Sequence, residues 1–146
     1  MRNLLLRAPG LALLLAAGLA LQPFAARADP DPSAHLPESL VPGQAVIRAV
    51  WKGDILFVFE GNAGEVITIS VTSKTPGIDP HVALLDPEKE VEAFDDDSGG
   101  HGDSLLKNHA LKKSGRYTVR VGAAQGDKGK VEVLLERRTP EQGDEE

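Results

Sequence analysis

Short apolar runs, each ended by a turn signal before it reaches helical length, constrain this chain more than any other feature. Residues 66–71 (VITISV) put Ile67, Ile69 and Val71 on one side and Thr68 and Ser70 on the other. That is the period of two a half-buried strand requires. Residues 116–121 (RYTVRV) repeat it, with Tyr117, Val119 and Val121 inward and Arg120 outward, and residues 131–137 align Val131, Val133 and Leu135. In residues 44–51, Ile47, Ala49 and Trp51 fall opposite Arg48. Residues 55–60 (ILFVFE) form a continuous apolar run that suits a strand buried on both faces, and residues 81–85 and 90–94 flank an Asp86-Pro87-Glu88-Lys89 turn. Residues 105–111 make a weaker strand. No segment holds a 3.6-residue apolar period over helical length. About eight short strands, with turn signals every eight to twelve residues or so, predict an all-β chain folded as an antiparallel β-sandwich.

The two ends read differently. Residues 1–28 carry Arg2 and Arg7, an apolar stretch of 11 residues from Leu11 to Leu21, and an Ala26-Arg27-Ala28 cleavage pattern. This is the layout of a secretory signal peptide, and the apolar stretch is too short to span a bilayer. A secreted or periplasmic location is expected, with no membrane insertion after cleavage. The chain has no cysteine, so neither a lipid-attachment site nor a disulfide framework is available. Residues 29–42, with four prolines, read as a linker without its own core, residues 43–138 as the sandwich domain, and residues 139–146 as an acidic disordered tail. Removing the leader takes Lys plus Arg from 16 to 13 against 22 acids, a net charge of −9. So acidic a chain is a poor match for nucleic acid or an anionic membrane.

Three motifs carry a resemblance. Residues 79–87 (DPHVALLDP), 95–100 (DDDSGG) and 115–121 (GRYTVRV) follow one another as they do in the bacterial pre-peptidase C-terminal domain family, and residues 57–71 (FVFEGNAGEVITISV) are similar to a further block of that family. The resemblance covers roughly residues 41–137. It implies a jelly-roll-like sandwich and a non-catalytic module of a secreted protein that contacts a protein or polysaccharide. Relative to that pattern, the distance from Ser104 to Gly115 is one residue longer, which predicts a β-bulge. Some relatives bind calcium through acids near the N-terminal linker; here Glu38 is the sole acid between Pro37 and Gly53.

The loop at 95–103 concentrates the potential ligands. Asp95, Asp97 and Asp103 in a glycine-rich loop can offer oxygens to calcium, which takes six to eight of them. The same aspartates can instead cap and turn a tight loop through side-chain to backbone hydrogen bonds, and both readings stay open. An EF-hand is excluded because its twelfth position would be Leu106. Gly102-Asp103-Ser104-Leu105 spells the signature of the GDSL esterases, which makes Ser104 a remote candidate nucleophile, but no D-x-x-H follows it. His35, His81, His101 and His109 show no zinc spacing. Partial burial beside Leu84 is expected for His81, a core position for Trp51 and Tyr117, and no catalytic residue. The leading expectation is a secreted binding or accessory module. The alternative is a structural component of an envelope or secreted complex, held by the N-terminal arm or the tail.

Overall fold

Nine strands order the chain: β1 (Glu38–Ser39), β2 (Val46–Val50), β3 (Ile55–Gly61), β4 (Val66–Ser73), β5 (Pro80–Leu85), β6 (Val91–Asp95), β7 (Ser104–Ala110), β8 (Gly115–Ala123) and β9 (Gly129–Arg138). The structure, a computed structural model, describes residues 36–51, 53–124 and 128–138. All of them belong to the second of two compact units, residues 32–146. The leader and the acidic tail inferred from the sequence lie outside the described residues.

The strands form two sheets, in the orders β1-β3-β8-β5-β6 (sheet A) and β2-β9-β4-β7 (sheet B). Four antiparallel pairings, β2 with β9, β3 with β8, β4 with β7 and β5 with β6, show that the chain runs as one long hairpin folded over on itself. Further pairings of β4 with β9 and β5 with β8 roll that hairpin into two layers. This is the jelly-roll arrangement of an antiparallel sandwich. Its tip is the β5–β6 turn. There Asp86 Oδ1 accepts the N–H groups of Glu88 and Glu90, at 3.0 and 2.9 Å, and Lys89 adopts a positive φ of 70°.

The alternating residues meet between the layers. Ile67, Ile69 and Val71 of β4 and Val131, Val133 and Leu135 of β9 face Phe57, Phe59, Val82, Leu84, Tyr117, Val119 and Val121, all buried. Each such side chain contributes about 1.5–3 kcal/mol, and this single core stands in for the absent disulfides. Tyr117 stacks on Phe59, with ring centroids 5.5 Å apart. Its hydroxyl donates to the Lys113 carbonyl at 2.9 Å and accepts the Lys113 N–H at 3.1 Å. A tyrosine at the start of a strand thus ties down the preceding corner, as in other sandwiches.

Three expectations change. Glu38–Ser39, within the stretch read as a linker, pairs in parallel with Phe57 and Val58, and Leu40 is buried in the core. Pro37 and Pro42 bracket a segment short enough to be held by one apolar anchor. Trp51 is 62% exposed, while Val50 is buried. In the register of β2 with β9, Arg48 stands opposite Val131 and Val50 opposite Gly129, so Ile47 and Ala49 lie on the outer face, and Trp51 follows the end of the strand. His81 is half-buried on the face opposite Leu84, beside Asp54 and Phe94. The expected bulge is present: the register of β7 against β4 shifts between Ile67 and Ile69, and Asn108 takes a φ of 50°.

Candidate functional site

The acidic loop leads from β6 of sheet A to β7 of sheet B, so its aspartates sit where the two layers part. Asp95 Oδ2 accepts the N–H groups of Ser98 (3.0 Å) and Leu105 (2.8 Å), and Oδ1 accepts the Ser98 hydroxyl (2.5 Å). Burial works against its charge, but the Ser98 hydroxyl and the Leu105 and Ser98 amides outweigh it and hold the carboxyl below the usual aspartate range. Asp103 Oδ1 accepts the Ser73 N–H at 2.8 Å, joining the loop to the end of β4. Asp97 uses its backbone carbonyl, which accepts the Gly100 N–H, and its side chain is exposed. Two of the three predicted ligands therefore serve the turn. Among the described residues, no three acidic or histidine side chains are gathered as a group that could hold a metal.

Ser104 is buried, and its hydroxyl donates to the Pro80 carbonyl at 2.5 Å, so it pins β7 to β5 rather than facing a substrate. This corrects the esterase alternative: a nucleophile needs an accessible oxygen and an adjacent base. His109 lies at the far end of β7, where its Nε2 is 2.8 Å from Glu92 Oε1. Glu92 sits at a register irregularity in β6 and is nearly inaccessible. It also accepts the Lys112 N–H at 3.2 Å, and its Oε2 lies 3.3 Å from the Tyr117 hydroxyl oxygen. Sequence spacing could not have found this pair, because each partner is turned toward the seam by a bulge in its own edge strand.

The outer faces remain. On sheet A, Phe94 and Val91 are exposed, and His81 Nε2 approaches Asp54 Oδ1 at 3.5 Å. Arg120 Nε is 3.2 Å from Asp54 Oδ2 but off-line for a hydrogen bond, so the contact is electrostatic only. On sheet B, Trp51 and Ile47 flank the small Ala49, and Lys128 Nζ lies 6.0 Å from the indole centroid. Lys130 stands opposite Ala49, and the Lys74 N–H donates to the Lys130 carbonyl at 2.8 Å. Lys74 Nζ pairs with Glu132 at 3.1 Å. Beyond Lys74 opens a basin of about 460 Å³ bounded by Ser73, Thr75, Gly77, His101 and Asp103. The alternation of residues 44–51 was legible in the sequence. The exposure of Trp51 was not, since either face of that strand reads as apolar.

No family model and no curated protein matches this chain. Solved structures do. The pre-peptidase C-terminal domain of a collagenase from Bacillus anthracis is similar over 69% of this chain and 95% of its own, with 16% identity and a TM-score of 0.59. Periplasmic inhibitors of g-type lysozyme from Aeromonas hydrophila and Salmonella Typhimurium each cover 70% of this chain, and 100% and 98% of their own, at 16% and 14% identity. Their TM-scores are 0.48 and 0.47. The likeness to the collagenase domain establishes the fold, in agreement with the motifs at 79–87, 95–100 and 115–121.

Proposed function

We propose that this chain is a non-catalytic binding module, secreted or periplasmic, that contacts a protein or polysaccharide through the outer face of sheet B. The observation that supports it is Trp51: the single tryptophan of the chain, 62% exposed, following β2, whose outward Ile47 is exposed as well. Large aromatics are enriched among the residues that dominate binding energy, and an exposed one next to the end of a strand is placed for contact. Ser104, Asp95 and Asp103, by contrast, spend their side-chain oxygens on contacts within the fold. Emission from Trp51 reports the test directly. In titrations against a panel of extracellular polysaccharides and proteins, at least one should give a saturable change. Trp51→Ala removes the reporter, so its binding is read by calorimetry, where it should be weakened by about thirtyfold, the effect of a 2 kcal/mol anchor. Unchanged emission across the panel, or binding that survives Trp51→Ala, would remove this face from the proposal.

Calcium enters the proposal at the acidic loop. Asp97 is exposed, and Asp95 has accepted three of the roughly four hydrogen bonds a carboxylate can take. A cation bound only by the folded state at about 100 times its Kd would add about 2.7 kcal/mol. A melt in EDTA and then in millimolar calcium decides the matter. A rise lost in Asp97→Ala assigns the loop a cation, and an unmoved midpoint leaves it as turn chemistry.

A further inference from the structure

We infer that the Trp51 corner of sheet B takes an anionic polysaccharide, with a uronic-acid ring against the indole and its carboxylates on Lys128, Lys130 and Lys74. This rests on the binding role proposed above and names its ligand. The charge at the corner runs against that of the chain. Over the whole sequence the formal charge is −6, yet three lysines fall along one edge of the face, with Glu132 as the acid among them. A local positive patch on an acidic protein draws in an anion of matching extent while the rest of the surface repels longer polyanions. An extended nucleic-acid backbone, which needs many phosphate contacts, would meet that repulsion.

The neighbouring side chains favour a sugar over an acidic protein. A pyranose ring offers a face of C–H groups, slightly positive, to the negative face of an exposed indole. Ala49, lying in sequence between Ile47 and Trp51 and outward in the same register as Ile47, presents only a methyl group beside such a ring. The rest of the face carries the hydroxyls of Thr68, Ser70 and Thr72 of β4, with the half-buried Leu134 and Leu105 on either side of Ser70 and Glu136 opposite Thr68. Its exposed apolar side chains are thus confined to Ile47 and Trp51, fewer than the cluster a protein interface centres on. The basin beside Lys74 extends the track. Asp103 faces it and disfavours a second anion there, so the carboxylates belong on the lysine row and neutral hydroxyls in the basin.

Trp51 emission tests this in the unmodified protein, with polygalacturonate as probe and neutral dextran and polyglutamate as comparisons. A saturable change with polygalacturonate, weak or absent with both others and reduced by added salt, is the expected result. Lys130→Glu and, separately, Lys128→Glu should each weaken it about tenfold with melting midpoints unchanged. Two reversals at exposed positions keep the test informative should one variant fold poorly. Equal binding of polyglutamate would overturn the sugar in favour of an acidic polypeptide. Binding of dextran or of a neutral protein at Trp51, with no response to polygalacturonate, would overturn the anionic ligand and leave the binding role standing. Silence from all three polymers would overturn the anionic sugar, and silence from the wider panel as well would overturn the binding role.

Discussion

At the scale of single residues, the carboxylates with the most structural work are those that gather backbone donors. Asp95 serves two amides and a hydroxyl, so Asp95→Ala strips a charged acceptor from the partly buried Leu105 amide. A loss of about 1–3 kcal/mol is expected, seen as a lower denaturation midpoint with or without calcium. Ser104→Ala leaves the buried Pro80 carbonyl without its donor and should cost about 1 kcal/mol. Urea unfolding measures it. Both effects are on stability alone, which separates these residues from Trp51, where truncation should leave the midpoint in place. Lys113 shows the same logic with opposite charge. It spans Asp86 and Glu88, at 2.7 Å each, and the Asp86 bond leads in pushing the Lys113 ammonium pKa upward and the Asp86 carboxyl downward.

At the scale of elements, the two sandwich seams are closed by different devices. Along one, β1 and β2 are bridged by the bidentate Glu38–Arg48 pair, which is exposed and contributes little beyond orientation. Along the other, β6 and β7 each carry an irregularity, and Glu92 and His109 meet there. Bulges on edge strands also spoil the flat edge that invites pairing with other chains. Asn108 makes the β7 bulge at a φ of 50°, where asparagine and glycine are tolerated and β-branched side chains are not. Asn108→Gly should therefore hold stability, whereas Asn108→Val should lose about 1–2 kcal/mol. Equal melting temperatures for the two variants would mean that the bulge relaxes.

Across the whole molecule, pH dependence follows from the two shifted aspartates. Asp86 and Asp95 both have folded-state values below the ordinary 3.8, so the unfolded chain binds protons first as the solution is acidified. Their contribution is complete above the unfolded value and is lost as pH falls through the folded ones. Stability should thus be flat near neutrality and drop below about pH 4, with a shallower drop in Asp95→Asn. A thermal series from pH 7 to pH 2 checks it. The exposure of Trp51 yields another whole-molecule expectation: iodide should quench its emission strongly in the native state, with little further gain on unfolding. A buried response would contradict the register of β2 on β9.

The fold class follows from local chemistry. Alternation at residues 66–71, 116–121 and 131–137 and the Asp-Pro turn at 86–87 allow few solutions besides a sandwich, because apolar faces of period two must be buried against another sheet. The bulge in β7 was legible too, as one residue too many between Ser104 and Gly115. The orientation of β2 was not. Both of its faces are acceptable by pattern, and the valines of β9 select Val46 and Val50 for the interior. Nor could sequence join β1 to β3, Asp54 to His81, or Lys74 to the Trp51 corner, since each pair meets only after distant segments have packed. Periodicity is a property of neighbours along the chain and determined the layers. Which face of each layer is exposed depends on pairing between distant strands, and the tertiary structure alone decided it.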